Sequence, residues 1–135
     1  MNVRTEFDWN GDEVKIIGHR VVRKTAYETG LVVEGQAKVL TPVKTGRLAG
    51  SITTQASDHG NNVRSPATDT DKINAPTDAM EVLVGTAVDY APYVEYGTRR
   101  SGAQPFLRPA LDLAKGNVLT IGRKNGKAEF KDYLK

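Results

Sequence analysis

The chain has 135 residues, of which 39% are hydrophobic, and its 19 basic and 16 acidic side chains leave a formal net charge of +3. This is the length of one domain, and the positive excess is far below that of a protein that packages nucleic acid. The absence of cysteine excludes disulfides, thiolate metal sites and cysteine nucleophiles, and since no apolar run is long enough for a signal peptide or a membrane span, we expect a soluble cytosolic chain.

The first elements predicted along the chain are a short strand and a long helix. In residues 3–9 apolar and charged side chains alternate, which is typical of a half-buried strand, so we predict an N-terminal arm or strand over 1–11. From about residue 12 to 40 the apolar positions follow helical spacing on one broad stripe. Because Pro42 disfavours helical geometry at Thr41, the helix is predicted to end there.

Two strands are predicted in the middle of the chain, on either side of a long polar segment. Residues 48–57 are rich in β-branched side chains, and residues 80–87 alternate between apolar and polar. Antiparallel pairing of these strands is the simplest topology. The segment between them, residues 56–79, has only two isolated large aliphatic residues, Val63 and Ile73, and no aromatic, which predicts a long mobile loop.

The C-terminal part is predicted to contain two further helices. The first covers residues 89–96 and ends at Gly97, and the second begins near Pro105 and is capped by Gly116. Residues 117–135 are predicted to form a variable tail, in which an Asn-Gly pair favours a hairpin and a frayed helix is the alternative. The fold class is therefore predicted as a single α+β domain over residues 1–135, with a long N-terminal helix packed on a small antiparallel sheet and a shorter second helix near the C-terminus.

No segment has the spacing of a catalytic, cofactor or metal site. His19 and His59 lie far apart without other ligands, and Asp69 and Asp71 lack the glycine and the distant glutamate of a calcium loop. The glycine-containing segment 97–104 lacks the Lys-Ser/Thr that follows a phosphate-binding loop. We therefore expect no enzyme activity, no cofactor and no metal.

The most unusual segment is DYAPYVEYGTRRSGAQPFLRPAL, at residues 89–111. Its three tyrosines recur at every third position, so a helix would place them along one stripe. Subunit contact, packing within the subunit and nucleic-acid binding are all open readings of this segment, but subunit interfaces favour tyrosine and arginine. We predict a subunit interface made of eight residues: Tyr90, Tyr93, Glu95, Tyr96, Arg99, Arg100, Phe106 and Arg108.

Two blocks of the sequence resemble the small head–tail connector, or tail-completion, proteins of long-tailed bacteriophages. They are TPVKTGRLAGSI at 41–52 and VGTAVDYAPYVEYGTRRSGAQPFLRPAL at 84–111. The resemblance implies a non-enzymatic α+β protein of the virion neck, assembled in the host cytoplasm and placed between the portal side and the tail tube. It further implies a ring of six- or twelve-fold symmetry, with adjoining neck proteins and the tail tube or terminator as partners and no membrane contact.

Such a ring requires heterologous contacts, in which one patch meets a different patch on the neighbouring copy. In this reading the tyrosines and Phe106 are apolar anchors, and Glu95 and the arginines set the angular register by charge pairing. A tail terminator that caps the tail tube is the alternative within the phage class, and a basic nucleic-acid-binding module is the alternative outside it; weak contact with DNA in the channel is also expected. We hypothesise that the 56–79 loop becomes ordered on an adjoining ring or tail protein, through six polar residues: Asp58, His59, Asn61, Arg64, Asp69 and Asp71.

Overall fold

The computed structural model describes residues 10–44, 46–57, 73–131 and 133. Within that part of the chain four helices and two strands follow in the order α1 (Gly11–Leu40), α2 (Arg47–Ser51), β1 (Thr53–Ala56), β2 (Val82–Gly85), α3 (Ala91–Tyr96) and α4 (Leu107–Phe130). The strands pair antiparallel, with Thr53 opposite Gly85 and Ala56 opposite Val82. The predicted fold class and the predicted pairing of the two strands are confirmed.

Helix α1 lies where its periodicity predicts, from Gly11 to Leu40. It ends because Pro42 disfavours a helical backbone at Thr41, which is extended. The N–H and the hydroxyl of Thr41 both donate to the carbonyl of Ala37, at 2.9 and 2.6 Å. The last turn of the helix therefore keeps a hydrogen-bonded carbonyl although the helix cannot continue.

Only part of the apolar stripe predicted on α1 is buried. Val33 and Ala37 belong to the core, whereas Val22 and Val39 are 51% and 80% exposed. Periodicity identifies one side of a helix but does not say how much of that side finds a partner. The exposed part of the stripe is therefore surface, which the prediction did not separate from core.

The core lies where the second half of α1 packs against the start of α4. Ile52, the residue between α2 and β1, also packs there. Five side chains there have no accessible surface: Ala37, Ile52, Phe106, Ala110 and Ala114. Three of them are alanines, which allow the two long helices to approach closely. The large volume between them is filled mainly by the Phe106 ring, whose burial stabilises the fold by about 1.5–3 kcal/mol.

The prediction of a strand over the whole of residues 48–57 is wrong in its first half, where the structure has helix α2. The N–H of Gly50 donates to the carbonyl of Gly46 at 2.8 Å. This single helical turn puts Leu48 and Ile52, four residues apart, on the same side, and both are buried.

The predicted end of the last helix at Gly116 and the predicted hairpin at Asn125-Gly126 are also wrong, because α4 continues to Phe130. Each glycine inside it weakens the helix by about 1 kcal/mol relative to alanine, but packing along α1 offsets this cost. Asn125 is 1% exposed, and its side-chain amide donates to the Thr25 hydroxyl at 3.3 Å and to the Glu28 carboxylate at 3.4 Å. A buried amide with two partners on α1 holds the segment helical.

Two predicted segments lie outside the described residues: the arm up to residue 9, and residues 58–72 of the predicted loop. At the edges of that loop, Ala56 belongs to β1, Ile73 lies beside Gly85 and Pro76 is buried. Among the helices of the described ranges, none combines the length and the apolar character needed to cross a membrane.

Candidate functional site

The predicted interface residues lie at a corner of the molecule where α3, a tight loop and the start of α4 meet. Helix α3 carries Pro92 in its first turn, a position where the missing N–H costs little. It ends at Gly97, as predicted, where the backbone turns into the left-handed region with φ of 78°. The chain then reverses and enters α4 at Leu107.

Glu95 joins the two helices of this corner through its carboxylate. Its Oε2 accepts hydrogen bonds from the N–H groups of Phe106 at 2.7 Å and Leu107 at 3.0 Å, and its Oε1 accepts one from the N–H of Arg108 at 3.1 Å. The first N–H groups of a helix have no partner within the helix, and this end also favours negative charge. The next residue, Pro109, has no N–H to satisfy. Glu95 therefore completes the hydrogen bonding of the first turn of α4.

The charge state of Glu95 follows from these contacts. Burial on its own raises the pKa of this carboxyl group, because it disfavours the charged form. The three backbone N–H groups and the nearby guanidinium of Arg108 act in the opposite direction and outweigh burial, so the pKa of Glu95 lies below its ordinary value. Glu95 is thus a charged cap at neutral pH.

The loop over residues 97–104 is closed by its own backbone. The N–H of Thr98 donates to the carbonyl of Ser101 at 2.8 Å, and the two residues form an antiparallel bridge. A Cβ atom at Gly97 would lie 2.7 Å from the backbone nitrogen of Ala103. Space and the positive φ therefore both require glycine at this position.

The outer surface of the corner exposes aromatic and basic side chains. Tyr93 and Tyr96 are 63% and 62% exposed. The guanidinium of Arg108 stacks over the Tyr96 ring at 4.7 Å from its centroid and donates to its hydroxyl at 3.3 Å. Arg99 and Arg100 are exposed on the turn that follows α3. We call these five residues the tyrosine–arginine patch.

A groove of about 620 Å³ lies next to this patch, between α3 and the segment that joins α1 to α2. Tyr90, which is half-buried, forms part of its wall, and the guanidinium of Arg47 lies 6.0 Å from the centre of the Tyr90 ring. The apolar part of the lining comes from Pro42, Leu48, Tyr90, Tyr93 and Val94. An apolar groove beside exposed tyrosines is a surface on which another protein can bind.

The structure brings the eight predicted interface residues together but gives them two different positions. Tyr90 and the tyrosine–arginine patch reach the surface, whereas Glu95 is 7% exposed and Phe106 is fully buried. Phe106 therefore packs inside the subunit, and Glu95 caps α4 rather than pairing with a neighbouring copy. We leave both out of the contact surface.

Sequence reasoning missed the capping role of Glu95, although one signal for it exists. It is the sole acidic residue between positions 90 and 111, and the residue at the N-cap of α4 is Phe106, which has no side-chain acceptor. A helix that begins without Ser, Thr, Asp or Asn needs an acceptor from elsewhere. Glu95 is the nearest carboxylate that precedes this helix in the sequence, which makes it the candidate.

The six residues predicted to bind a partner through the loop all lie outside the described residues: Asp58, His59, Asn61, Arg64, Asp69 and Asp71. His19 is exposed on α1. Among the described residues no three His, Cys, Asp or Glu side chains lie close enough together to hold a metal ion.

A protein-family model with the description "Bacteriophage HK97-gp10, putative tail-component" matches residues 6–97, which is more than half of the chain. The matched part contains α1, the two strands and α3, and it ends at Gly97, before α4. No curated protein and no solved structure matches the chain.

Proposed function

This chain belongs to the HK97-gp10-like family of bacteriophage tail components, and from that premise we propose that it is a ring-forming subunit of the phage neck, joining the head to the tail tube. The family membership itself gives the protein a structural role in the tail or neck of the virion. In the proposed role the subunit binds copies of itself side by side and binds the neck proteins or tail tube above and below, and it carries out no catalysis.

The observation that carries the proposal is the exposure of two tyrosines on a rigid corner. Tyr93 and Tyr96 are more than half exposed, yet Glu95 and Gly97 fix the helix that carries them. Tyrosines anchor protein interfaces because they bury a large area and lose little side-chain entropy. A surface that is already rigid before binding avoids much of the ordering cost of association, which favours a defined angle between neighbouring copies.

The apolar surface extends from this corner toward the end of α1. Pro42 lines the groove, and the next residue, Val43, is 72% exposed. Large exposed apolar residues beside an apolar groove favour contact with another chain over an isolated monomer. We propose that the tyrosine–arginine patch, this groove and Val43 form one side of the ring contact.

Removal of the two tyrosines tests the ring. We expect native mass spectrometry of the purified wild-type protein to show a closed oligomer and the Tyr93→Ala/Tyr96→Ala variant to stay monomeric at the same concentration. Each interface tyrosine contributes about 2 kcal/mol, or roughly a 30-fold change in affinity. The matched control is Ile16→Ala, which truncates a side chain 59% exposed at the other end of α1. A double variant that forms the same oligomer as the wild type would disprove this contact.

Deletion of the gene from the phage distinguishes a connector from a tail terminator. Loss of a connector leaves filled heads and tails of normal length that do not join. Loss of a terminator leaves tails of irregular length, because nothing caps the growing tube. We expect the first result in electron micrographs of lysates, and tails of irregular length would favour the terminator instead.

Any contact with DNA in the channel is proposed to be weak. Arg20 and Lys24 both lie near the Glu129 carboxylate, at 3.3 and 3.6 Å, and Lys124 lies 4.0 Å from Glu28. Because acidic partners offset these three basic side chains, they are poorly placed to bind a phosphate backbone. Filter binding of duplex DNA at two salt concentrations measures this, and tight binding with a steep salt dependence would favour a nucleic-acid-binding module.

A further inference from the structure

A second groove, with a volume of about 660 Å³, lies between α1 and α4. Its walls are largely aliphatic: Val21, Val22 and Val33 of α1, Val82 of β2, and Val118 and Leu119 of α4. Val22 is 51% exposed and Leu119 is 69% exposed, so within the described ranges the groove is open. An open aliphatic groove of this size favours an apolar occupant.

The dimensions of the groove suit an extended segment of chain. Its lining on α1 runs from Val21 to Val33, which is about 18 Å at a rise of ~1.5 Å per residue. An extended segment covers that length with about five or six residues at ~3.3 Å each. Arg123 lines the groove and Lys127 follows one turn later, so the rim favours an occupant with negative charge.

One stretch of the sequence outside the described residues has the matching chemistry. In residues 3–9, VRTEFDW, the apolar Val3, Phe7 and Trp9 fall at odd positions. The even positions carry the charged Arg4, Glu6 and Asp8, with a net charge of −1. An extended segment with this pattern presents apolar side chains on one side and charged side chains, two acidic and one basic, on the other.

The other stretch outside the described residues fits the groove poorly. Residues 58–72 lie between the two strands in the sequence, and the Ala56–Val82 end of the strand pair lines the groove through Val82. Their sequence, DHGNNVRSPATDTDK, offers Val63 as its one large apolar side chain. A polar segment of this kind gains little by covering aliphatic walls.

We propose that residues 3–9 of one copy bind in the α1–α4 groove of a second copy, with Phe7 and Trp9 on the aliphatic walls and Glu6 and Asp8 toward the basic rim. The proposal rests on the self-association proposed above and adds a second, separate contact to it. In a head-to-tail ring this contact links each copy to its neighbour by an exchanged segment.

The reach of the chain favours a second copy over the groove of the same subunit. Phe7 is three residues from Asn10, so its Cα lies at most about 11 Å away, at ~3.6 Å per extended residue. Val22 is twelve residues along α1 from Asn10, which is about 18 Å at ~1.5 Å per residue. Val22 is near the start of the groove, and the middle of the groove lies still further along α1. The aromatic side chains of the same chain therefore do not reach the middle, whereas those of another copy are not restricted in this way.

The fluorescence of Trp9 tests the proposal, because it is the single tryptophan of the chain. Binding of the indole to aliphatic walls shifts its emission to the blue. We expect a shift that grows with protein concentration, and that disappears in Leu119→Asp but stays in the matched variant Leu113→Asp, which alters another exposed leucine of α4. A blue-shifted emission that is independent of concentration, or an unshifted emission at every concentration, would overturn the proposal.

Engineered cysteines give a second and independent measurement, since the natural chain has none. Phe7→Cys protein is mixed with Leu119→Cys protein and oxidised, and the disulfide-linked heterodimer is measured on a non-reducing gel. We expect it to form at least about tenfold faster than with Leu113→Cys, because binding holds the thiols at an effective concentration far above that in solution. Equal rates with the two leucine positions would count against the groove as the binding site.

Failure of this proposal differs from failure of the proposed ring contact. If native mass spectrometry shows a ring but neither the emission shift nor the selective cross-link appears, the ring contact stands and the segment exchange is wrong. If the cross-link is selective but no closed oligomer forms, the exchange stands and the ring is wrong.

Discussion

At its N-terminal end α4 is held by Glu95, whose buried carboxylate accepts three backbone hydrogen bonds, whereas its C-terminal half lies against α1 through ion pairs and the amide of Asn125. The Glu95 carboxylate is buried, and it accepts from all three backbone N–H groups that open α4. The ion pairs of the C-terminal half are exposed or half-exposed, and each contributes about 1 kcal/mol or less. The N-terminal end of α4 is therefore held more firmly by Glu95 than its C-terminal half is held by ion pairs.

The same contrast appears in the apolar surface of the two halves. Near the N-terminal end Phe106, Ala110 and Ala114 are fully buried, whereas Val118 and Leu119 in the middle of the helix are 37% and 69% exposed. Near its N-terminal end the helix buries one side in the core, and Leu111 and Leu113 are exposed on its other sides. Val118 and Leu119 instead line the α1–α4 groove, which is open within the described residues. If the proposed contact in the α1–α4 groove is right, α4 both stabilises the subunit and binds a second copy. The variants below test whether these two roles are separate.

The largest effect is expected at Phe106, which fills the core at the start of α4. Phe106→Ala removes a fully buried ring and leaves a cavity, so we expect the free energy of unfolding to fall by about 3–5 kcal/mol. Urea unfolding followed by circular dichroism measures it. The control Leu111→Ala, on the same helix and 49% exposed, should cost far less, and equal costs would show that burial does not separate the two positions.

The next largest effect is expected at Glu95. Glu95→Ala leaves three N–H groups at the start of α4 without their acceptor, and we expect a loss of about 2–3 kcal/mol. Glu95→Gln keeps an acceptor oxygen and should lose less. The matched control is Asp112→Ala, which removes a carboxylate that is 69% exposed and paired with Lys115 at 2.7 Å; its expected cost is below about 1 kcal/mol. If both carboxylates cost the same, the capping role is wrong.

Gly97→Ala is expected to destabilise the protein by about 1–2 kcal/mol, because alanine is strained at positive φ and its Cβ would press on the Ala103 backbone. Gly102→Ala in the same loop is the control, since a Cβ there meets nothing within 4 Å. Thermal unfolding of the two variants gives the comparison. Equal melting temperatures would contradict the tight closure of the loop.

A smaller, pH-dependent effect follows from the lowered pKa of Glu95. A carboxyl group whose pKa is lower in the folded than in the unfolded state stabilises the fold above the unfolded value, roughly pH 4.3. That stability is lost as the pH falls through the lower, folded pKa. We therefore expect the stability difference between wild type and Glu95→Gln to shrink on acidification below about pH 4, measured by urea unfolding across the acid range. A difference that does not change with pH would show that the charge of Glu95 contributes nothing.

The smallest effect on stability is expected at Leu119, in the open half of α4. Leu119→Ala should change the free energy of unfolding by less than about 0.5 kcal/mol, since the side chain is mostly exposed. The same variant should weaken association of the copies, measured by analytical ultracentrifugation. Loss of stability together with unchanged association would reverse the roles assigned to the two halves of the helix.

The parts of the fold that could be predicted from sequence are those governed by local periodicity and turn residues. Helix α1, the antiparallel strand pair and the end of α3 at Gly97 follow from helical spacing, alternation and the need for glycine at positive φ. The extent of α4 could not be predicted, because its glycines oppose a helix locally. Packing against Thr25 and Glu28, about a hundred residues earlier, overcomes that opposition.

The candidate site divides in the same way. The clustering of tyrosine and arginine was visible in the sequence, and their use as a subunit contact stays a prediction. The cap formed by Glu95 depends on a hydrogen bond across a loop of about ten residues. The burial of Phe106 depends on packing after the same loop. Residue spacing alone gives no rule for either. Side-chain capping across such a distance is a tertiary contact, although it appears in the sequence as a single motif.

Arg108 takes part in two of the contacts described above, because its backbone N–H is held by Glu95 while its guanidinium lies on the Tyr96 ring. Residues from α3 and α4 are thereby joined both beneath and above the surface of the corner. A mechanical force applied to Tyr96 by an adjacent protomer would pass through this double attachment into the long axis of α4. If copies associate through this corner as proposed, the double attachment would keep the angle between neighbouring copies constant under load.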